Sequence, residues 1–224
     1  MLTIPSSPAP APYARFAPLL LPALFGAAMI ALYRYLPAEL ETHFALDGTP
    51  NGTMSRAAFC ASGLVLTTAL TAFGIARSAP PSPGNSQVAT KAAGNPVGTA
   101  LHGSALFVVA IYGALAARAV GLLGASSGAR GLAPLALLVA IFLFALGLLL
   151  PKVPQNRFVG LRTAATLADP ELWARVHRRA GHLYVLTGLF GMASAFLAPS
   201  LALPLVGGSV LVASALALLL GLRH

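Results

Sequence analysis

Charge is what this sequence has least of. Five acidic and fourteen basic residues occur among 224, and no Asp, Glu, Lys, Arg or His lies near the middle of any of its long apolar runs. Proton-coupled transporters place ionisable groups inside the bundle despite the cost, so that class is disfavoured. The lone cysteine, Cys60, excludes an internal disulfide and a thiolate cluster. No Gly-x-Ser-x-Gly elbow in a strand-to-helix setting and no Ser/His/Asp order stands out; the one literal match, "GASSG" at 124–128, lies in a short outer loop. His177 and His182 stand five apart and point about 140° from each other on a helix, which argues against a metal pair. No basic patch interleaved with aromatics lies away from the membrane boundary, so direct nucleic-acid binding is not expected. The reading is a non-enzymatic protein without cofactor or metal.

Hydrophobicity is what the chain has in excess: 57% of residues, with a mean hydropathy of +0.81. Ordinary soluble domains are roughly half apolar, so an integral membrane protein is expected, an all-α polytopic bundle. Six stretches approach the roughly 20 residues a spanning helix needs: 16–33, 57–76, 103–117 (extending to about 123), 131–150, 183–199 and 201–222. Arg34 follows the first stretch at once, which favours a retained helix over a cleaved leader. A Pro-rich tail at 1–14 is expected to be disordered. An N-terminal two-helix unit follows over 15–78, then a flexible loop at 79–98 rich in Pro, Gly, Ser and Asn, and a four-helix unit at 99–224. Only Pro199 and Ser200 separate the last two spans, which are therefore expected to pack as a tight antiparallel pair.

Six spans distribute the basic residues unevenly. Arg34, Arg56, Arg118 and Arg130 fall on one face, and the ten others on the opposite one. The positive-inside rule then puts both termini in the cytoplasm, and the basic face near anionic lipid. The spans offer Thr67, Thr71 and Ser194 among their few polar groups, expected to bond back to their own helix carbonyls.

The acidic residues concentrate in two connectors. Glu39, Glu41 and Asp47 lie in the outer loop Leu36–Arg56, where "DGTPNG" reads as turn residues; His43 is able to approach Glu41 and Asp47 as a charged trio, but a solvated loop histidine is the favoured expectation. Asp169 and Glu171 lie in a cytoplasmic segment, 151–182, that holds eight of the nineteen charged residues. Asp169-Pro170-Glu171 is a helix start: an N-cap, a proline where its missing donor costs nothing, and an acid in the first turn. The helix is expected to run unbroken into the fifth span. Glu171, Arg175, Arg178, Arg179 and His182 then share one face, and Trp173, Val176, His177, Ala180 and Tyr184 the other. Trp173 suits an interfacial anchor with its N–H at the wet boundary. His177 is expected to be a hydrogen-bonded packing residue. Before that helix, "PKVPQNRFVGLRTAATL" shows no sustained helical pattern and reads as an ordered extended segment, with Asn156 and Thr163 bonding its backbone. Arg157 and Arg162 would sit near lipid phosphates.

Over 154–189 the sequence closely resembles the signature of the SdpI family of bacterial membrane proteins. Asn156, Gly160, Arg162, Thr163, Leu167, Trp173, His177, Arg178 and Gly181 fill its places. The outer loop resembles the domain of unknown function that often precedes that signature, through Pro37, His43, Phe44, Gly48, Pro50 and Arg56; Glu41-Thr42 replaces a common proline, and Arg56 a usual lysine. The family's named member protects a bacillus from its own secreted peptide toxin and signals by holding a transcriptional repressor at the membrane. The resemblance thus implies a non-enzymatic immunity or signalling protein of the bacterial cytoplasmic membrane. His43 and Gly48 would shape an outer site meeting an amphipathic peptide. Asn156, Gly160, Arg162, Thr163, Trp173, His177 and Arg178 would order a cytoplasmic one that recruits a regulator. A small-solute or lipid transporter, with the loops as gates, is the rival expectation.

Overall fold

The computed structural model describes residues 14–45, 47–78, 95–123 and 128–222. The Pro-rich tail and most of the expected flexible loop lie outside them. The chain is mostly helical: α1 (Leu20–Leu32), α2 (Arg56–Ser78), α3 (Pro96–Ala119), α4 (Ala133–Leu149), α5 (Ala164–Ala168), α6 (Pro170–Leu197) and α7 (Ala202–Leu222). Five helices, α2, α3, α4 with its flanking turns, α6 and α7, are long and apolar enough to cross a membrane. Each exposes much of its apolar surface outward, including Val65, Leu106, Leu186, Phe196 and Leu211. That is the pattern of helices solvated by lipid.

The expected six spans thus become five, plus a shorter apolar helix over Phe16–Leu32. Pro18 lies in a 3-10 stretch, Ala14–Leu19, and the α-helix begins only after it, because a proline interrupts helical hydrogen bonding. The third span starts seven residues before the expected Gly103. Asn95 caps it through Val97 N–H (3.0 Å), with Pro96 in its first turn. Pro96–Gly98, expected as loop, is therefore helix, and His102 falls inside α3.

The outer loop departs most from expectation. It is an antiparallel hairpin of β1 (Glu39–Phe44) and β2 (Pro50–Ser55), with His43 opposite Gly52. Alternation orients it: Leu40 is buried and Phe44 and Met54 are half-buried against Phe25, Phe59 and Leu115, while Glu39, Glu41 and His43 face outward. Of "DGTPNG", only Asp47, Gly48 and Thr49 form the turn; Pro50, Asn51 and Gly52 are strand.

Packing follows the sequence neighbours α1–α2 and α2–α3, and then α4 against α6 and α6 against α7. The expected antiparallel pair of last spans is present. Tighter still is α4 on α6: a Cβ on Gly188 would stand 2.7 Å from Phe144 Cβ and 2.8 Å from Ala140 O. Small residues let these backbones meet, as packing in lipid requires.

Candidate functional site

Asp169 starts α6 as expected, accepting from the N–H groups of Glu171 (2.8 Å) and Leu172 (3.1 Å). The helix then runs without a break to Leu197. Trp173, Val176, His177, Ala180 and Tyr184 are buried, whereas Glu171, Arg178 and His182 are exposed and Arg175 and Arg179 half-buried. The two faces fall as the helical period places them, and Glu171 pairs with Arg175 at 3.8 Å.

The segment before α6 folds around the buried face. Asn156 Oδ1 accepts from Phe158 N–H (2.7 Å) and Val159 N–H (2.8 Å), while its Nδ2 donates to Pro154 O (2.8 Å) and Val159 O (3.2 Å). One side chain thereby closes a tight loop. The loop delivers Leu161 N–H to His177 Nε2 at 3.1 Å. His177 Nδ1 faces the Trp173 carbonyl at 2.9 Å. A carbonyl only accepts, so Nδ1 carries the proton and Nε2 is the acceptor. Both ring nitrogens are spent on backbone, and the ring, 1% exposed, stacks on Trp173 at 3.8 Å and 17°.

Gly160 makes that approach feasible. Its φ is +122°, a conformation that side chains rarely adopt, and a Cβ there would overlap His177 Nε2. Trp173 departs from expectation. It is 2% exposed, and its Nε1–H donates to Val153 O (2.9 Å) inside the protein rather than at a wet boundary. Gly181 lies against Pro151 and Gly147 O, seating the entry to the segment on α6.

Thr163 caps a short helix, α5, that was expected to be extended. Its Oγ1 accepts from Thr166 N–H (3.1 Å), and Thr166 Oγ1 in turn accepts from Thr163 N–H (2.8 Å) and donates to Leu161 O (3.0 Å). Thr166 is buried, and Gln155 Nε2 donates to its carbonyl at 2.9 Å. Sequence reading missed both residues. The only signal was the spacing of a capping box, with Thr in place of the usual Glu or Gln.

Asn156, Gly160, Thr163, Trp173 and His177 thus form one interlocked framework. Arg162 and Arg178 are exposed on it together with Phe158 and Leu167, and Arg162 Nη1 donates to Arg157 O at 2.6 Å. Phe158 also touches the N-terminal half. It meets Phe73 of α2 edge-on at 5.0 Å, and the Arg77 guanidinium lies 4.2 Å from its ring centre. Val97 and Leu101 of α3 pack in one cluster with Val153 and Trp173.

At the opposite end of α3, Arg118 pairs with Glu41 (3.6 Å), lies over the Phe44 ring, and donates to Gly131 O (3.4 Å). Arg56 Nη1 donates to Tyr33 O (3.1 Å) and Leu36 O (3.0 Å), tying the end of α1 to the hairpin base. Gly48 is buried at φ +82°, with its turn against the backbone of Gly128 and Ala129. His43 is exposed, as expected of a solvated loop histidine, and forms no trio with Glu41 and Asp47. Glu41 is drawn to Arg118, and Asp47 accepts from Thr49 Oγ1 (2.7 Å) and Thr49 N–H (2.9 Å). These bonds hold the Asp47 carboxyl below the usual aspartate range, the Thr49 hydroxyl contributing most. His43 bonds its neighbour Thr42 and packs over Gly52.

A multi-pass helix bundle with an interlocked polar loop at one end and a hairpin at the other is a membrane protein by fold. Residues 152–222 match the SdpI/YfhL protein family, and that stretch is an SdpI/YfhL family domain. It covers the whole interlocked framework together with α6 and α7, and indicates no catalytic family. Comparison with curated proteins and with solved structures found no match.

Proposed function

We propose that this is a non-enzymatic immunity and signalling protein of a bacterial cytoplasmic membrane. The hairpin end faces outward and meets an amphipathic peptide; the framework end lies in the cytoplasm, as do both termini with the shorter helix Phe16–Leu32 as a sixth crossing, and there Arg162, Arg178 and the exposed apolar Phe158 and Leu167 receive a regulator. The observation that carries the reading is the pair of attachments at the ends of α3. Arg118 near its end holds Glu41 of the hairpin, while Val97 and Leu101 near its start pack with Trp173. A displacement at the hairpin is thus able to reach the framework through one rigid helix, a coupling that needs two arrangements of the contacts it joins.

The test is survival and membrane potential of toxin-sensitive bacteria expressing the chain and challenged with amphipathic peptides. Protection that is mostly lost with His43→Ala in the hairpin and with Arg162→Ala in the framework, at unchanged protein level, is the expected result. No protection from a correctly inserted chain overturns it.

The solute-transport alternative is favoured by one observation. Thr67 and Thr71, both 0% exposed, and His102 Nε2 have no hydrogen-bond partner among the described residues, and Gly74, on the same face of α2, abuts the His102 ring. A polar seam between α2 and α3 therefore lies within the bundle. Solute flux in proteoliposomes that Thr71→Val abolishes would move the conclusion there.

A further inference from the structure

Between α3 and α4 the bundle is open. A groove of about 440 Å³ runs along the pair, with Thr99, Gly103 and Phe107 on one wall and Leu138, Phe142 and Lys152 on the other. Phe107 and Phe142 stack at 4.3 Å along it. From Leu138 to Leu149 the α4 wall extends about 16 Å at 1.5 Å per residue. That is about half of the ~30 Å hydrocarbon core, the depth of one leaflet. A void of this size between spanning helices forfeits packing contacts on both walls unless a lipid chain fills it.

The framework end of the groove differs from the rest. Lys152 is exposed and makes no ion pair among the described residues. The two carboxylates of the 151–182 segment have other partners, Asp169 in capping α6 and Glu171 in pairing with Arg175. The exposed Arg157, Arg162 and Arg178 add positive charge at the same end. An apolar channel one leaflet deep, ending in an unpaired ammonium, is complementary to a molecule with an acyl chain and an anionic head. A cationic amphipathic peptide would be repelled by the same group.

We propose that this groove binds one anionic phospholipid, its chain between Phe107 and Leu138 and its phosphate at Lys152. The proposal is independent of the immunity reading. Gly103 provides the means to test it, because a Cβ there meets nothing within 4 Å. A side chain introduced at 103 starts into open space on the groove wall.

The experiment is native mass spectrometry of the full chain released from vesicles of equimolar phosphatidylglycerol and phosphatidylcholine, with melting temperature measured in parallel. Wild type is expected to retain one phosphatidylglycerol in preference to phosphatidylcholine. Lys152→Ala should cut that preference about fivefold, the effect of one lysine at an anionic surface. Gly103→Phe should lose both lipids without a fall in melting temperature, and Gly103→Leu should do the same if the larger side chain prevents folding. Equal retention of the two lipids by wild type, or an undiminished preference in Lys152→Ala, would overturn the proposal. So would cross-linking of two copies through Gly103→Cys in a Cys60→Ala background, since a second chain would then occupy the groove.

Discussion

His177 shows how a conspicuous residue turns out to be structural. A histidine one helical turn from the only tryptophan, in the most charged part of a chain poor in charge, invites a ligand reading, although the face it shares with Trp173 and Tyr184 already favoured packing. Its two nitrogens are instead committed to Leu161 N–H and Trp173 O. Gly160 is the residue on which that arrangement depends most. Gly160→Ala adds a methyl where the imidazole sits and imposes an unfavourable φ, so a loss of about 2–4 kcal/mol is expected. Thermal unfolding in detergent would measure it, and an unchanged melting temperature would refute the packing described. Thr67 and Thr71 run the other way. They were expected to bond back to their own helix, as Ser194 does to Gly191 O (2.9 Å), yet their hydroxyls have no partner among the described residues.

At the scale of elements, helix starts were legible and the hairpin was not. Asp169-Pro170-Glu171 announced α6 because capping chemistry is local. β1 carries a period-two alternation in "ELETHF", but its neighbouring turn residues led to a loop reading. Two six-residue strands are only marginally stable alone, and this hairpin exists because Leu40, Phe44 and Met54 find a core supplied by α1, α2 and α3. Its turn has a pH signature. The Asp47 carboxyl is held below its ordinary range by Thr49, so its stabilising effect is present above the unfolded value and disappears as pH falls through the folded one. NMR titration of the Thr49 amide should report an acid-side transition below the usual aspartate range. A midpoint at the ordinary aspartate value would show that the turn bonds do not persist.

For the whole molecule, basic residues segregate to the two ends of the bundle. Arg56 and Arg118 cluster with the hairpin, and Arg77 meets Phe158 at the framework. By the positive-inside rule the framework end, with Lys152, Arg157, Arg162 and Arg178, should be cytoplasmic. Cysteines placed at Thr53 and at Ala174, in a Cys60→Ala background, should be labelled by an impermeant reagent from outside only at the first position. Labelling of Ala174→Cys in intact cells would invert the orientation.

The sequence by itself determined the helical membrane class, four of the five long spans to within a few residues, the start and both faces of α6, and the residues that carry the SdpI/YfhL signature. The class, the spans and the faces of α6 rest on hydropathy, local capping or helical period, which neighbours along the chain decide; the signature rests on resemblance to a family. Tertiary structure alone decided that Glu41 joins Arg118 rather than His43, that Trp173 turns its N–H inward to Val153, and that α3 and α4 leave a groove. Those outcomes depend on which groups from distant parts of the chain are brought within reach of one another.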